Sequence, residues 1–400
     1  MQTDLHIPAI AILSIAAACA PPADGGEVVV IERARKLSQL VGETDRQTGK
    51  PTLNRTISSC GIFGTDLGYS FRHKDRTWFL FGDTKGVHGG DAIAWTTDED
   101  PEAGLRLEFI RGADGLYKPI SIPGISQGDF EVPVAGVSAD GKMYVYHTTD
   151  HSAERTMGRC VLAVSENDGQ TFKYLYDVSR DHFINVAIVP CDGNGCAAAT
   201  ARNGGDLFIF GSGEYRKSNV RLARQPARDI ENREAIRFFT GLDEAGMPKW
   251  SKAEGDSVDL FNQPTVGELS VSYNRRLERW IMLYNAAPPM RGINMRTARY
   301  PWGPWSEPTI IFQPWMDGGY GRFIHASRAF GGTDNLHDPG RENEWGGEYG
   351  PYQLAEMTRQ EGEGTAVYFT MSSWNPYTVV LMKVIIGIKG VDTGGVFERK

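Results

Sequence analysis

Residues 64–84 read GTDLGYSFRHKDRTWFLFGDT. Apolar positions alternate with polar ones through Leu67, Tyr69 and Phe71, a charged turn follows at His73–Arg76, and a second apolar run, Trp78–Phe81, returns. Period-two runs on either side of a short polar turn predict an antiparallel hairpin. The unit recurs as FEVPVAGVSADGKMYVYHTTD (130–150), as INVAIV with GDLFIFGSGE (184–214), as GELSVSYNRRLERWIMLYNAA (267–287), and as GPYQLAE with GTAVYFTMSSWNP (350–376). Most copies are followed by a further strand pair, and TVVLMKVIIGI (378–388) reads as the last strand. Four-strand units repeated at roughly 40–80 residues are the pattern of a propeller. The chain therefore reads as all-β, a five-bladed β-propeller with four-stranded antiparallel blades over residues 51–390.

Composition agrees. Of 400 residues, 47 are Gly and 21 Pro, with 18 Phe, 15 Tyr and 9 Trp, which favours turns and strands over a helical bundle. Lys and Arg number 42 against 50 Asp and Glu, a net charge of −8. That balance argues against non-specific nucleic-acid or anionic-membrane binding, which needs a cationic surplus. No Gly-rich phosphate loop or Ser-His-Asp order is present, and no organic cofactor or metal site is implied. A structural cation on the propeller axis stays open, with His147 or His325 as an axial ligand. A hydrogen-bonded structural histidine is the commoner role for both.

Residues 1–20 read as a signal peptide. The apolar run Ile7–Ala20 is too short to span a membrane, and Ala16 and Ala18 suit signal peptidase, although MQTDLH lacks a basic residue. Cys19, followed by Ala20 and PPADGG, offers a lipoprotein alternative that would tether an otherwise secreted or periplasmic monomer. Residues 21–50 read as a linker or N-terminal extension, in which Glu32–Gly42 is expected to supply a strand or short helix that helps close the ring against the C-terminal strand. Residues 391–400 read as a tail. Export would leave Cys60, Cys160, Cys191 and Cys196 for disulfides; Cys191 with Cys196 and Cys60 with Cys160 is one of three pairings.

Two motifs sit at outer-strand turns. Ser165–Phe172, SENDGQTF, resembles the Asp-box of sialidase-type propellers, with Asp168 and Thr171 expected to tie the turn. Tyr300–Pro308, YPWGPWSEP, occupies the equivalent turn of blade four, where its tryptophans are read as inter-blade packing.

In an antiparallel hairpin, the start of one strand and the end of the next lie at the same end. Blade one places Asp66 and Asp83 there, blade two Glu131 and His147–Asp150, and blade three Asn185 and Glu214. Blade four places Glu268 and Asn285, and blade five Tyr352 with Trp374 and Asn375. Carboxylates gathered in one funnel suit glycoside hydrolysis, in which one acid protonates the leaving oxygen and a second carboxylate attacks or activates water. Crowding lets one member hold its proton near neutral pH. Either aspartate alone would be a turn residue satisfying backbone N–H groups; their pairing, with Glu268 and Glu131, favours the catalytic reading.

NRT (54–56), GTDLGYSF (64–71), WFLFGDT (78–84), GELSVSYN (267–274), YGPYQL (349–354) and YFTMSSWNPYTVVLM (368–382) together resemble a bacterial and fungal group long called a domain of unknown function. That group now contains the endo-D-arabinanases of glycoside hydrolase family 183. The resemblance covers about residues 50–388. It implies a polysaccharide substrate, with cleavage of internal D-arabinofuranosyl linkages of mycobacterial arabinogalactan or lipoarabinomannan. It also implies essential aspartates at Asp66 and Asp83. Glu268 is the third catalytic candidate. Asn54, Arg55, Glu131, Asn185, Glu214, Asn285, Tyr352, Trp374 and Asn375 are the candidate substrate contacts. The competing readings are another propeller glycosidase (arabinofuranosidase, fructan hydrolase or sialidase) and a non-catalytic carbohydrate-binding surface propeller.

Overall fold

The computed structural model describes residues 26–191, 205–287 and 291–389. The expected signal segment with Cys19, the expected disulfide cysteine Cys196 and the expected tail 391–400 lie outside those residues. Strand β1 (Val28–Gln39) comes first. Blade one follows as β2 (Ile62–His73), β3 (Arg76–Gly86), β4 (Ala92–Thr96) and β5 (Glu108–Phe109). Blade two is β6 (Pro133–Ala139), β7 (Lys142–Thr149), β8 (Arg159–Ser165) and β9 (Lys173–Ser179). Blade three is β10 (Asn185–Cys191), β11 (Asp206–Ser212), β12 (Val220–Pro226), β13 (Arg237–Leu242) and a fifth strand, β14 (Pro248–Ser251). Blade four is β15 (Val266–Asn274), β16 (Arg279–Ala286), β17 (Ile293–Ala298) and β18 (Thr309–Phe312). Blade five combines β19 (Glu348–Gln353), β21 (Gly364–Ser373) and β22 (Thr378–Ile388), with the short β20 (Arg359–Glu361) beside β21.

The five sheets are antiparallel, and β2, β6, β10, β15 and β19 ring the axis. The fourth strand of blade five is β1, which pairs with β22 from Val28↔Ile388 to Gln39↔Val380. The segment expected as an extension thus supplies the strand that closes the ring. Uniting the first and last described strands in one blade closes the ring, so that blade five packs on blade one and only the outer strand of each blade remains as an edge.

The blades pack face to face, so their strands are buried on both sides. In β16, Trp280–Tyr284 are all buried without a polar break. Phe79, Phe81 and Ala92 of blade one share one apolar cluster with Tyr368 and Leu381 of blade five. Phe210 and Leu222 of blade three share another with Trp280 and Met282 of blade four. Trp305 of the Tyr300–Pro308 turn joins that second wedge, 6.0 Å from the Phe210 ring, as packing.

Two local expectations are corrected. Cys60 and Cys160 are buried free thiols, so the pairing between them does not form. The β8–β9 turn is tied by Asn167, whose Oδ1 accepts from Thr171 N at 2.9 Å, and by Ser165, whose Oγ accepts from Gly169 N at 2.9 Å. Asp168 instead turns outward to His73 Nε2 at 3.0 Å and Lys74 Nζ at 2.5 Å, clamping blade two to blade one.

Candidate active site

One axial end opens into a cavity of about 990 Å³ lined by Asp66, Asp83, Asp91, Glu268 and Glu348, with Phe63, Phe130, Tyr215, Arg216, Tyr349, Trp374 and Tyr377 around them. Blade one delivers the aspartates. Asp66 pairs across the ladder with Gly82, and β2 carries register breaks on both sides of it, at Gly64/Asp66 and Leu67/Tyr69. Neighbouring strand residues face opposite sides of a sheet, so Asp83, next to Gly82, would turn away from Asp66 in regular backbone. Its left-handed φ of 41° re-aims it into the same cavity. Gly82 is required: a Cβ there would lie 2.9 Å from Asp66 Oδ1 and 2.8 Å from Val132 Cγ1.

Asp66 is buried, and its Oδ2 accepts from the Tyr349 hydroxyl at 2.9 Å. Its Oδ1 has no hydrogen-bond partner among the described residues. A buried carboxyl oxygen without a protein partner is uncommon, and a catalytic role is one of the reasons a fold keeps one. Burial, then the charge of Asp83, pushes the Asp66 carboxyl well above the usual carboxylate range; the Tyr349 hydrogen bond and the nearby Tyr377 hydroxyl, which itself donates to Asp83 O at 3.1 Å, pull back, and the charge of Glu268 pushes further up. Half-buried Asp83 accepts from Phe130 N at 3.1 Å. Burial, then the charge of Asp91, raises Asp83 to about 7.

Behind Asp83 stands a buried pair that sequence reading did not connect. Asp91 Oδ1 accepts from Asp83 N at 3.0 Å, which fixes the left-handed turn, and Asp91 Oδ2 meets His147 Nε2 at 2.9 Å. His147 Nδ1 donates to Thr148 O at 2.6 Å. His147 is thus a hydrogen-bonded structural histidine. So is His325, which meets Asp334 and Glu342 O.

Glu268 lines the same cavity in a different state. Arg216 reaches both its oxygens, at 2.9 and 3.1 Å, Asn285 Nδ2 donates at 2.8 Å and the Tyr215 hydroxyl at 3.3 Å. Burial alone would raise its pKa, but the Arg216 charge and hydrogen bonds outweigh burial and hold it below the ordinary value. Arg216 also stacks over the rings of Tyr215 at 4.7 Å and Tyr349 at 5.5 Å. The ionised Glu268 is therefore tied, through Arg216 and Tyr349, to Asp66.

The remaining candidates separate. Asn285 joins the site by holding Glu268, and its Oδ1 accepts from Gly350 N at 3.1 Å. Trp374 is 46% exposed at the cavity rim, with the Arg341 guanidinium 4.1 Å above its ring. Glu131 is buried beneath the rim, accepting from Ser126 Oγ at 2.6 Å and Gly128 N at 2.5 Å; these contacts and the His151 N–H tie its loop. Asn375 is buried, bonded to Arg341 O at 3.0 Å and Asp338 N at 2.9 Å. Asn54 spans Leu40 O, Leu105 O and Leu107 N away from the cavity. Arg55 and Glu214 are exposed, Glu214 paired with Lys217, and buried Asn185 starts β10 outside the lining. Tyr352 is fully buried, edge-on to Tyr69 at 5.3 Å, and lines a smaller cavity of about 470 Å³ at the opposite axial end.

The Tyr352 placement has a simple cause. Blade five begins its inner strand at Glu348, four residues earlier than the repeat implied, so Glu348 and Tyr349 take the rim. Burial raises Glu348 to about 7. The phase of YGPYQL is ambiguous because two tyrosines are candidates for one position. Arg216, Phe130 and Tyr377 lie in turns between strands, where no period marks them.

Fold and cavity together define a five-bladed propeller with an acidic pocket on its axis. The chain belongs to the family described as a domain of unknown function, DUF4185, whose model matches residues 52–383. It is 24% identical over 379 residues to the Notoamide biosynthesis cluster protein J' of Aspergillus versicolor, covering 81% of this chain and 88% of that one. A solved Bacteroides ovatus protein, named as a provisional hydrolase, aligns with a TM-score of 0.53 at 12% identity, over 82% of this chain and 87% of that one. The GH43_1 enzyme of Xanthomonas citri, solved with xylotriose, aligns with a TM-score of 0.44 at 12% identity, over 80% and 86% of the two chains. At 12% identity, the likeness to the Bacteroides ovatus protein is one of fold.

Proposed function

We propose that this chain is a glycoside hydrolase that cleaves internal D-arabinofuranosyl linkages of arabinan, of the type found in mycobacterial arabinogalactan and lipoarabinomannan. The observation that carries the reading is the pair Asp66 and Asp83: neighbouring carboxyls on one cavity wall, both with raised pKa, beside a third carboxylate held ionised. The arabinan substrate rests on the sequence motifs described above. A glycosidase needs one acid that keeps its proton and one carboxylate that has lost it. Asp66 is the more deeply buried, and the fixed charge of Glu268 discourages its ionisation. Asp83 is half-exposed and receives the Phe130 N–H, which favours its anion.

Asp66 therefore donates its proton to the glycosidic oxygen as the bond to the anomeric carbon breaks. The Asp83 carboxylate attacks that carbon or takes a proton from the water that does. The Tyr349 hydroxyl then steadies the Asp66 carboxylate that remains. Carboxyls about 5–5.5 Å apart give retention and about 6.5–9.5 Å inversion, so the anomeric configuration of the first product decides between attack and water activation. The test is incubation with arabinogalactan, xylan and fructan, followed by linkage analysis. Release of arabino-oligosaccharides supports the proposal; products from another polymer alone refute the substrate. We propose in addition that the enzyme is exported, which fractionation of the native host would test.

A further inference from the structure

Blades four and five are joined by residues 313–347, the longest connection between described strands. It is bolted to the β21–β22 turn. Asn375 Nδ2 donates to Arg341 O at 3.0 Å and Glu344 O at 3.1 Å, and its O accepts from His325 N at 2.9 Å. Asp338 accepts from Tyr377 N at 2.8 Å. Gly346 lies so close to the turn that a Cβ there would sit 2.4 Å from Asn375 O. A connection held this way is a fixed surface, and ordering it has a cost in chain entropy.

The outer side of that surface carries aromatics. Phe330 is 74% exposed and Trp345 42% exposed. The Trp345 ring lies 4.9 Å from that of Tyr320 and 5.9 Å from that of Phe330. Exposed contiguous apolar surface rimmed by polar groups marks a binding site. Close by in the chain, exposed Arg328 donates to exposed Asn335 Oδ1 at 2.9 Å, and exposed Asn343 precedes Trp345 by two residues. The ledge adjoins the cavity through the backbone: Gly346 and Gly347 follow Trp345 and line the cavity, the Tyr320 hydroxyl donates to Gly346 O at 3.2 Å, and Gly347 O accepts from Trp374 N at 2.9 Å. The polar side chains beside these aromatics in the chain offer N–H donors and amide carbonyls, which suit the hydroxyl edges of a sugar, while the rings suit its C–H faces.

We propose that Tyr320, Trp345 and Phe330 form a glycan-binding ledge that holds the part of a polymeric substrate extending beyond the cavity. This rests on the glycosidase reading and adds to it: the ledge makes the polymer, rather than a short glycoside, the preferred substrate. It raises affinity for long chains and leaves the chemistry at Asp66 and Asp83 untouched.

The test uses the full chain. Calorimetry on the Asp66→Asn protein measures affinity for arabino-oligosaccharides of increasing length and for arabinan, with and without Trp345→Ala and Phe330→Ala together. The same ledge changes in the active chain are assayed on arabinan and on the shortest cleaved oligosaccharide. Affinity should rise with length, and the ledge changes should weaken polymer binding and raise polymer KM by about tenfold, the effect of losing one or two stacking contacts. Values for the shortest substrate should not move. Unchanged polymer affinity and KM in the ledge variant overturn the proposal, as does a parent that binds no glycan or binds all lengths equally. Self-association that the ledge changes abolish, with glycan binding intact, assigns the surface to a second copy and also overturns it. Glycan binding that depends on the ledge, without any hydrolysis by the parent, sinks the catalytic reading and leaves the ledge standing.

Discussion

Blade one and blade four place a carboxylate at the same point, the start of an inner strand, facing one cavity. Their chemistry is opposite. Asp66 meets phenol hydroxyls and another acid, and its pKa rises; Glu268 meets a guanidinium and an amide, and its pKa falls. Both are buried, so desolvation acts on both in the same direction. What separates them is a compensating cation, and only Glu268 has one. A strand position fixes where a carboxyl points; its neighbours fix which protonation state it holds.

The comparison breaks most visibly in catalysis. Asp66→Asn and Asp83→Asn should each lower kcat on arabinan by about 10²–10⁴-fold, the scale of lost acid–base catalysis, with an unchanged circular dichroism spectrum. Near-normal turnover by either folded variant would remove the pair from the mechanism.

In blade four the larger loss should be stability. Arg216→Met leaves the Glu268 charge buried without its partner, which costs about 3 kcal/mol in urea unfolding, toward the low end for a broken buried pair. The low end applies because the Arg216 side chain is 32% exposed. A midpoint equal to the parent's would show that Glu268 does not need its cation.

The pH profile sharpens the contrast further. Asp83 must lose its proton to act, so kcat/KM should rise through about pH 7, where its carboxyl titrates. Asp91→Asn removes the neighbouring anion and should move that limb to lower pH by on the order of one unit. Arg216→Met should leave the Asp83 limb in place. An Asp91→Asn limb that stays put would mean that Asp91 only positions the backbone.

The smallest effect is on the stability of blade one. Because the folded pKa of Asp66 is raised, the unfolded chain releases this proton first as pH climbs past about 3.9. Stability is then lost as pH rises toward the folded pKa, and the loss is complete above it. Asp66→Asn removes that penalty and should raise stability by about 1 kcal/mol at pH 8, but not at pH 3. Thermal unfolding at the two pH values checks the sign.

The repeat of hairpins was legible because burial on both faces and short turns leave a periodic trace, from which five blades and the inner strands of four of them follow. The aspartate pair was legible for the same reason: GTDLG and FGDT flank one hairpin. The blade-five rim was not, since Tyr349 and Tyr352 share a strand and only the Glu348↔Ser373 register decides between them. That Glu131 and Asn375 tie loops was not legible, because a carboxylate or amide that ties a loop has the same local sequence as one that faces a cavity.

The sequence by itself determined the architecture, the blade count and the two aspartates at one rim, because these depend on local periodicity. Only the tertiary structure decided that a left-handed residue and two bulges turn Asp66 and Asp83 into a common cavity. It alone brought Arg216 from blade three to Glu268 in blade four, and Asp91 and His147 together behind Asp83. Those pairings span sequence separations that no local pattern encodes, and they set the charge of each carboxyl because desolvation and neighbouring ions act through space rather than along the chain.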